Sequence, residues 1–204
     1  HELLKADRID LDYIVRYTNL PWLVIQDSGG PEDGLFARGE EGEPLCWDGK
    51  SDAVASALLP DVTPSLAGER TLPDGRKAIP AFELMARRYL DPAYAPEAAA
   101  RETGISATTI KRIAAELADV AFEQEIEIDQ PWTDWAGRHH ATMKGRPVAM
   151  HAMRGISAHS NGFHTCRAIH MLQILLGSID CPGGFRYKPP FPQAAPPPLK
   201  PTGK

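Results

Sequence analysis

Residues 146–177, RPVAMHAMRGISAHSNGFHTCRAIHMLQILLG, contain the pattern that predicts the fold. The apolar run over 146–156 predicts a strand, SAHSNGF predicts a loop, and 165–177 predict a helix that closes at Gly177. Five apolar side chains share one face of that helix at helical spacing: Ala168, Ile169, Leu172, Leu175 and Leu176. We therefore expect the helix to pack on a sheet. The pattern predicts an α/β fold whose strand-loop-helix units pack on a mainly parallel sheet.

Composition shifts divide the chain into four segments. Residues 1–25 are predicted to form a helix and a strand of the α/β core. The helix follows from apolar periodicity after Asp10, a candidate N-cap, and the strand from the run WLVI. Glycine, proline and acidic residues with brief apolar runs predict a surface elaboration with short strands at 26–78. Residues 79–184 contain the rest of the predicted α/β core. Eight prolines among the last 23 residues predict an extended, proline-rich linker at 185–204.

Charge and composition exclude several classes of protein. The net charge of −5 and the pI near 5.8 give no general field for nucleic acids or anionic membranes. The sequence has no secretory signal pattern and no apolar run near the roughly 20 residues that span a bilayer. Because the chain opens with His1, we expect a soluble segment of a longer protein. The cytoplasm is the expected compartment, and the periplasm is left open.

The stretch 96-PEAAARETGISATTIKRIAAEL-117 has the spacing of a helix-turn-helix DNA-binding module, with Gly104 at the turn. Charge argues against that function, because residues 96–129 carry three basic and eight acidic side chains. Two helices that cross over a glycine turn are also a common packing device. We therefore favour a structural helix pair and keep a DNA-binding regulatory module as the alternative function.

Six of the seven histidines lie between His139 and His170, with Cys166 among them. A metal site could be built from His164, Cys166 and His170. On a helix Cys166 and His170 share a face, whereas His164 precedes the first turn, and no standard ligand spacing is present. No nucleophile motif and no CxxC pair occurs either, so the residues alone predict neither a metal site nor a catalytic residue.

The loop that follows the predicted strand is the best candidate for a binding site. Arg154-Gly155 and then His159-Ser160-Asn161-Gly162 lead into a helix N-terminus, where unpaired N–H groups favour an anion. Asn161-Gly162 permits a tight turn with positive φ, and the neighbouring side chains offer donors and acceptors for a nucleotide. The alternative is a plain turn in which Ser160 or Asn161 caps the helix. Spacing alone leaves both interpretations open.

Three stretches together resemble a known family. They are 137-GRHHATMKGRPVAMHAMRGISAHSNGFHTCRAIHMLQILLGSIDCPGG-184, 81-AFELMARRYLDPAYAPEAAARETGISATTIKRIAAELA-118 and 11-LDYIVRYTNLPWLVI-25. In this order they resemble the large catalytic subunits of molybdopterin oxidoreductases of the dimethyl sulfoxide reductase family. The ending GGFRYKPPFP is most similar to the sulfur-oxyanion branch, with sulfite dehydrogenase and polysulfide or thiosulfate reductase large subunits. The chain is thus identified as an internal fragment of such a large subunit, with part of its multidomain fold.

The resemblance implies a cofactor and a role for the loop. Gly155, His159, Ser160, Asn161 and Gly162 would lie against one molybdopterin guanine dinucleotide of a bis-molybdopterin guanine dinucleotide cofactor, with Arg154 as an anion partner. The cofactor would carry molybdenum, with tungsten left open, and would support two-electron chemistry on a small substrate.

The resemblance also implies partners. An iron–sulfur cluster would lie in N-terminal parts that this chain lacks, and this segment alone would be inactive. The implied partners are a membrane anchor protein and an iron–sulfur electron-transfer subunit, with no nucleic acid. Relatives have Asn and Gly in the turn after the last helix where this chain has Ser178 and Asp180, so a cofactor contact by that turn is not implied.

Overall fold

The computed structural model describes residues 1–152 and 154–185. The predicted proline-rich linker lies, apart from its first residue, outside the described residues. The α-helices are α1 Glu2–Lys5, α2 Leu11–Tyr17, α3 Ala81–Leu90, α4 Pro96–Thr103, α5 Ala107–Glu123 and α6 Gly162–Leu175. Short 3-10 helices span Pro92–Tyr94 and Arg154–Ser157. No helix in this part of the chain is both long and apolar enough to cross a lipid bilayer.

The strands form small separate sheets. They are β1 Leu23–Gln26, β2 Leu45–Asp48, β3 Ala53–Ser56, β4 Arg70–Thr71, β5 Lys77–Pro80, β6 Ile126–Ile128, β7 Trp132–Thr133, β8 His139–His140 and β9 Met143–Gly145. One sheet has the order β1-β5-β4, and the pairs β2-β3, β6-β9 and β7-β8 are two-stranded. Every strand pair among these elements is antiparallel. The predicted α/β fold with a mainly parallel sheet is therefore wrong.

The predicted strand at 146–156 is the source of that error. The chain leaves β9 at Gly145 and has no strand from 146 to 152, and Arg154 then begins a 3-10 helix. Val148 is buried, but in a core built mainly by helices, together with Ala118 and Leu176. An apolar run of this length has the same pattern whether it lies in a sheet or lines a helical core, so periodicity could not separate the two.

The helix α6 also packs differently from the prediction. Its C-terminal residues Leu175 and Leu176 are buried beside Ile14 of α2, while Ala168, on the predicted core face, is exposed. The backbone N–H of Asp10 donates to the Leu175 carbonyl over 2.8 Å, which joins the start of α2 to the end of α6. The helix α6 packs mainly against α2 and the 3-10 helix at 154–157, and the prediction that it packs on a sheet is wrong.

Local signals placed the ends of several helices correctly. Asp10 is the N-cap of α2, where its side chain accepts a hydrogen bond from Tyr13 N over 2.9 Å. Gly104 ends α4 with a φ of 72°. Gly177 follows α6 with a φ of 63°. Each boundary depends on one residue and its near neighbours along the chain.

A second core lies under the β1-β5-β4 sheet. Its buried members are Leu23, Ile25, Ala37, Leu72 and Ala78. Beside it, the buried carboxylate of Asp48 closes the end of the β2-β3 hairpin. It accepts hydrogen bonds from Ser51 Oγ over 2.6 Å and from Thr63 N over 2.9 Å. These hydrogen bonds lower the pKa of Asp48 from 3.8 to about 2.

The lowered pKa of Asp48 predicts a pH dependence of stability. The folded chain binds a proton on Asp48 less readily than the unfolded chain, so the ionised carboxylate stabilises the fold above the unfolded pKa. We expect the free energy of unfolding to fall as the pH drops from about 3.8 toward about 2. Asp48→Asn should flatten that fall in urea titrations at several pH values. Asp61→Asn, on an exposed loop residue, is the control, and an equal flattening in both variants would contradict the assignment.

Candidate functional site

The predicted loop lies against the first turn of α6. Arg154–Ser157 form a 3-10 helix in which Ser157 Oγ donates to the Arg154 carbonyl over 3.0 Å. Gly162, the first residue of α6, is buried against this turn. A Cβ on Gly162 would lie 2.2 Å from the Ser157 carbonyl oxygen, which is a backbone atom. Glycine is therefore required here by close approach of two backbone segments.

The tight turn with positive φ that Asn161-Gly162 permits is not formed in the structure. Asn161 has a φ of −104°, and Gly162 is absent from the residues with positive φ in the described chain. Asn161 holds the N-cap position, yet its side chain makes no capping hydrogen bond. Its backbone N–H donates to His159 Nδ1 over 3.2 Å. The alternative of a plain turn with a capping residue is therefore right about the position of Asn161. It is wrong about the cap itself, because the Asn161 side chain makes no hydrogen bond to the helix.

The polar side chains of the loop face solvent. Arg154, His159, Ser160 and Asn161 are all exposed at the N-terminus of α6. The first-turn N–H groups of an α-helix have no acceptor within the helix and attract anions. The structure thus brings one guanidinium, one imidazole and a helix N-terminus to one surface. Whether this surface holds a cofactor stays a prediction.

A cavity of about 270 Å³ lies behind the loop. Its lining combines apolar side chains with polar groups from the loop and from α6: Met150, Ala152, Arg154, Ile156, Ser157, Cys166, Ile169, His170, Gln173 and Phe185. The rings of His170 and Phe185 meet edge to face with their centroids 5.7 Å apart. The loop and the cavity therefore form one candidate site, with its charged groups outside and its apolar walls inside.

Sequence reasoning missed Gln173, the most unusual residue of this site. Its side chain is fully buried, and neither its amide nitrogen nor its amide oxygen has a hydrogen-bond partner among the described residues. Leaving such a group unsatisfied costs about 1–3 kcal/mol. The available signal was a single amide inside the apolar run MLQILL. A buried polar group without a partner is rare in folded proteins and requires an explanation, such as strain, bound water or a functional role.

The turn after α6 lies on a different and larger cleft, of about 980 Å³. Gly177, Asp180 and Cys181 line it, whereas Ser178 is fully buried and donates from Oγ toward the Gln173 carbonyl over 3.4 Å. Burial raises the pKa of the Cys181 thiol, which keeps it protonated at neutral pH. The family resemblance concerns both the loop before α6 and the turn after it. In the structure these two segments border separate cavities.

His140 lines that cleft and is held by a buried carboxylate, that of Asp134. His140 Nε2 lies 3.2 Å from Asp134 Oδ2, and the His140 ring stacks on Trp132 with centroids 4.4 Å apart. Burial would raise the pKa of Asp134, but its hydrogen bonds with Arg138, His140 and Ala136 outweigh burial and lower it. The carboxylate therefore stays ionised and orients the imidazole.

The histidine-rich region does not assemble a metal centre in the part of the chain that the structure describes. Cys166 and His170 both line the smaller cavity, while the His164 side chain is exposed. No group of three His, Cys, Asp or Glu side chains among residues 1–152 and 154–185 is placed to hold a metal ion. Cys166 and His170 therefore contribute to the wall of the smaller cavity as polar groups.

The helix pair α4–α5 has the predicted geometry, with Ser106 capping α5 through a hydrogen bond from Thr109 N. Two of its three cations are paired with acidic side chains: Lys111 contacts Glu97, and Arg112 contacts Glu116. A surface that reads DNA needs cations directed at phosphates. Nothing in this geometry supports the DNA-binding alternative.

Comparison with known proteins relates the chain to part of an enzyme. No protein-family model matches it. It is 45% identical over 209 residues to a sulfite dehydrogenase subunit of Allochromatium vinosum, in an alignment that includes 98% of the chain and 21% of the relative. The chain is similar to part of a sulfite dehydrogenase. It spans about a fifth of the length of that relative.

This similarity corrects the identification that rests on sequence motifs. Those motifs identify the chain as an internal fragment of a molybdopterin oxidoreductase large subunit. The comparison instead relates a small chain to one part of a larger sulfite dehydrogenase subunit, and the name of that relative specifies no pterin. The comparison therefore shows similarity to a sulfite dehydrogenase subunit. It does not show that the chain is a fragment of a molybdopterin oxidoreductase.

Proposed function

We propose that the chain serves an oxidoreductase that acts on a sulfur oxyanion and that it forms part of the cofactor-binding region. The observation that carries the proposal is the 45% identity to a sulfite dehydrogenase subunit, which extends along 98% of the chain. The exposed groups at the α6 N-terminus and the cavity behind them support a binding role. No residue of the described chain is assigned to the chemical step.

The site fits a phosphate-bearing ring compound. Gly162 allows the loop backbone to approach α6 closely, Arg154 is exposed for an anion, and the Gln173 amide lacks a partner among the described residues. A molybdopterin guanine dinucleotide has phosphates and heteroaromatic rings of this kind, and it is the cofactor that we propose for the loop. When bound, its metal would supply the two-electron chemistry, and the residues named here would bind and orient it.

The proposed reaction is the oxidation of sulfite to sulfate. Sulfite gains an oxygen atom from water, and two protons and two electrons are released. The electrons need an acceptor, and the relative is named as one subunit of its enzyme. We propose that the acceptor is an iron–sulfur subunit, because one-electron carriers in a chain can accept the pair singly. A membrane anchor subunit is the further partner that we propose.

Sulfite oxidation can be tested on the native polypeptide that contains this chain. We expect the protein purified from its source to reduce ferricyanide in the presence of sulfite, with two equivalents of ferricyanide per sulfate formed. A strain without the gene should lose this activity and regain it with the intact gene. Unchanged sulfite oxidation in the deletion strain, together with an inactive purified protein, would overturn the proposal.

The cofactor assignment of the loop predicts a loss of bound cofactor in two variants. His159→Ala and Asn161→Ala remove exposed polar groups at the α6 N-terminus. We expect each to lower the pterin and molybdenum content of the native protein several-fold, because bound phosphates would lose donors that total about 1–2 kcal/mol. Pterin fluorescence after oxidation and metal analysis give the two contents.

Gln124→Ala is the matched control for this experiment, because it removes an exposed amide at the end of α5, far along the chain from the loop. It should leave both contents unchanged. Full pterin and metal content in His159→Ala and Asn161→Ala would contradict the assignment of the loop.

A further inference from the structure

The larger cleft, of about 980 Å³, is lined by two pairs of aromatic rings. Tyr13 and Tyr17 lie one turn apart on α2, with their ring centroids 5.4 Å apart. The Trp132 ring stacks on the His140 ring. All four residues are half-buried, so each ring has surface left to offer a ligand in the cleft. Apolar side chains add to the lining: Met143, Ile174 and Ile179. The volume is near the upper end of the range of about 300–1,000 Å³ for ligand pockets.

The charges of this cleft are almost fully paired. Each of the three lining cations contacts a carboxylate: Arg16 contacts Asp12, Lys144 contacts Glu125, and Arg146 contacts Asp10 and Glu125. Asp180 also lines the cleft, is exposed, and has no ion pair among the described residues. The cleft therefore offers aromatic surface with one unpaired negative charge at its rim, which suits a basic, apolar ligand.

The part of the chain outside the described residues begins at the same rim. Phe185 N–H donates to the Ser178 carbonyl over 2.7 Å, and the Phe185 carbonyl accepts from Asp180 N over 2.8 Å. Phe185 also lines the smaller cavity. Residue 186 nevertheless follows directly from its carbonyl group, which is bonded to Asp180. Residues 186–204 therefore start beside the larger cleft.

Residues 186–204 have the composition of a basic polyproline II segment. They contain seven prolines and four basic side chains, and no acidic side chain. The polyproline II conformation leaves its backbone carbonyls without internal hydrogen bonds, and segments of this kind bind in grooves lined by aromatic side chains. At about 3.1 Å per residue the segment reaches up to about 60 Å, which is enough to cross the cleft from its rim.

We propose that the larger cleft binds residues 186–204 of the same chain in the polyproline II conformation. The proline run 196–198 packs against the aromatic rings, and Lys188 lies near Asp180. The phenolic hydroxyl of Tyr17 donates to a backbone carbonyl of the segment. The bound segment joins α2 to the β7-β8 pair and to the turn after α6. This inference is independent of the cofactor and of sulfite oxidation.

The tether sets the affinity that docking needs. A segment on a short linker meets its site at an effective concentration of roughly 1 mM. A dissociation constant of about 0.1 mM for the free segment therefore gives an occupancy of about 90% in the intact chain. A docked segment is closed to proteases, so this occupancy slows cleavage of the segment about tenfold.

Trypsin measures docking in the full 204-residue chain. It cuts after Arg and Lys but not before proline, so within 186–204 its one site is Arg186-Tyr187. We expect the simultaneous change of Pro196, Pro197 and Pro198 to alanine to speed release of residues 187–204 about tenfold, as followed by mass spectrometry. Gln193→Ala, which keeps every proline, is the matched control and should be cut at the wild-type rate.

A change in the cleft should have the same effect as the change in the segment. Tyr17→Leu removes one aromatic ring and its hydroxyl, and we expect it to speed release of residues 187–204 about tenfold. Tyr94→Leu makes the same chemical change at an exposed ring away from the cleft and should leave the rate unchanged. Melting curves show whether Tyr17→Leu is folded, and the triple-alanine chain tests docking without any change in the cleft.

Calorimetry with a synthetic peptide of residues 186–204 identifies the occupant. The triple-alanine chain should bind this peptide with a dissociation constant of about 0.1 mM, because its own segment has left the cleft. The wild-type chain should bind it about tenfold more weakly. Equal trypsin cleavage of the wild-type and triple-alanine chains, or equal peptide binding by both, would overturn the proposal. Protection that rises with protein concentration would also overturn it, since the occupant would then be the segment of a second copy.

Discussion

Arg146→Met is expected to lower the free energy of unfolding by about 3 kcal/mol. Arg146 is only 13% exposed, and its guanidinium lies 2.9 Å from Asp10 Oδ2 and also contacts Glu125. It donates to the Ala121 carbonyl over 3.1 Å. One cation thus joins the N-cap of α2 to the end of α5. Its loss leaves a largely buried carboxylate on Asp10 without its counter-charge.

The effect of Arg146→Met can be separated from a general loss of positive charge. Arg8 contacts Asp119 and Glu123 of α5 and lies 5.8 Å from the centroid of the Phe122 ring, but its ion pairs are exposed. Arg8→Met should therefore cost less than about 1 kcal/mol. Urea titrations followed by tryptophan fluorescence measure both variants. Equal losses in the two variants would contradict the special role of the buried pair.

Gly162→Ala is expected to destabilise the chain by about 3 kcal/mol and to weaken ligand binding at the loop. The added Cβ would lie 2.2 Å from the Ser157 carbonyl oxygen and 2.7 Å from Ser157 Cα. These are backbone atoms, so no side-chain rotation relieves the contact. The 3-10 helix at 154–157 must move away from α6, and the wall of the smaller cavity moves with it.

Gly155→Ala is the matched control on the same loop. No heavy atom lies within 4 Å of a Cβ built on Gly155, and its φ is outside the positive range. We expect this variant to unfold at the same urea concentration as the wild-type chain or slightly above it, because alanine restricts the unfolded state. If Gly155→Ala lowers stability as much as Gly162→Ala, the close contact at Ser157 is not the cause.

The candidate site was only partly predictable. The exposed residues of the loop and its place before α6 followed from the order of residues 154–162. The cavity did not, because its walls come from Met150, from α6 and from Phe185, and these meet only in the folded chain. The importance of Gln173 depends on the lack of a partner among the described residues, which no sequence pattern reports. The larger cleft beside His140 was missed for the same reason.

The sequence by itself determined the features that depend on neighbouring residues. Asp10 caps α2, Gly104 and Gly177 end helices, and the acidic excess around α5 excludes a phosphate-binding surface. Tertiary structure alone decided that Val148 lies in a helical core and that Arg146 pairs with Asp10 across 136 residues. The reason is physical: caps and turns satisfy backbone groups within a few residues, whereas burial and ion pairing depend on which distant segments close over them.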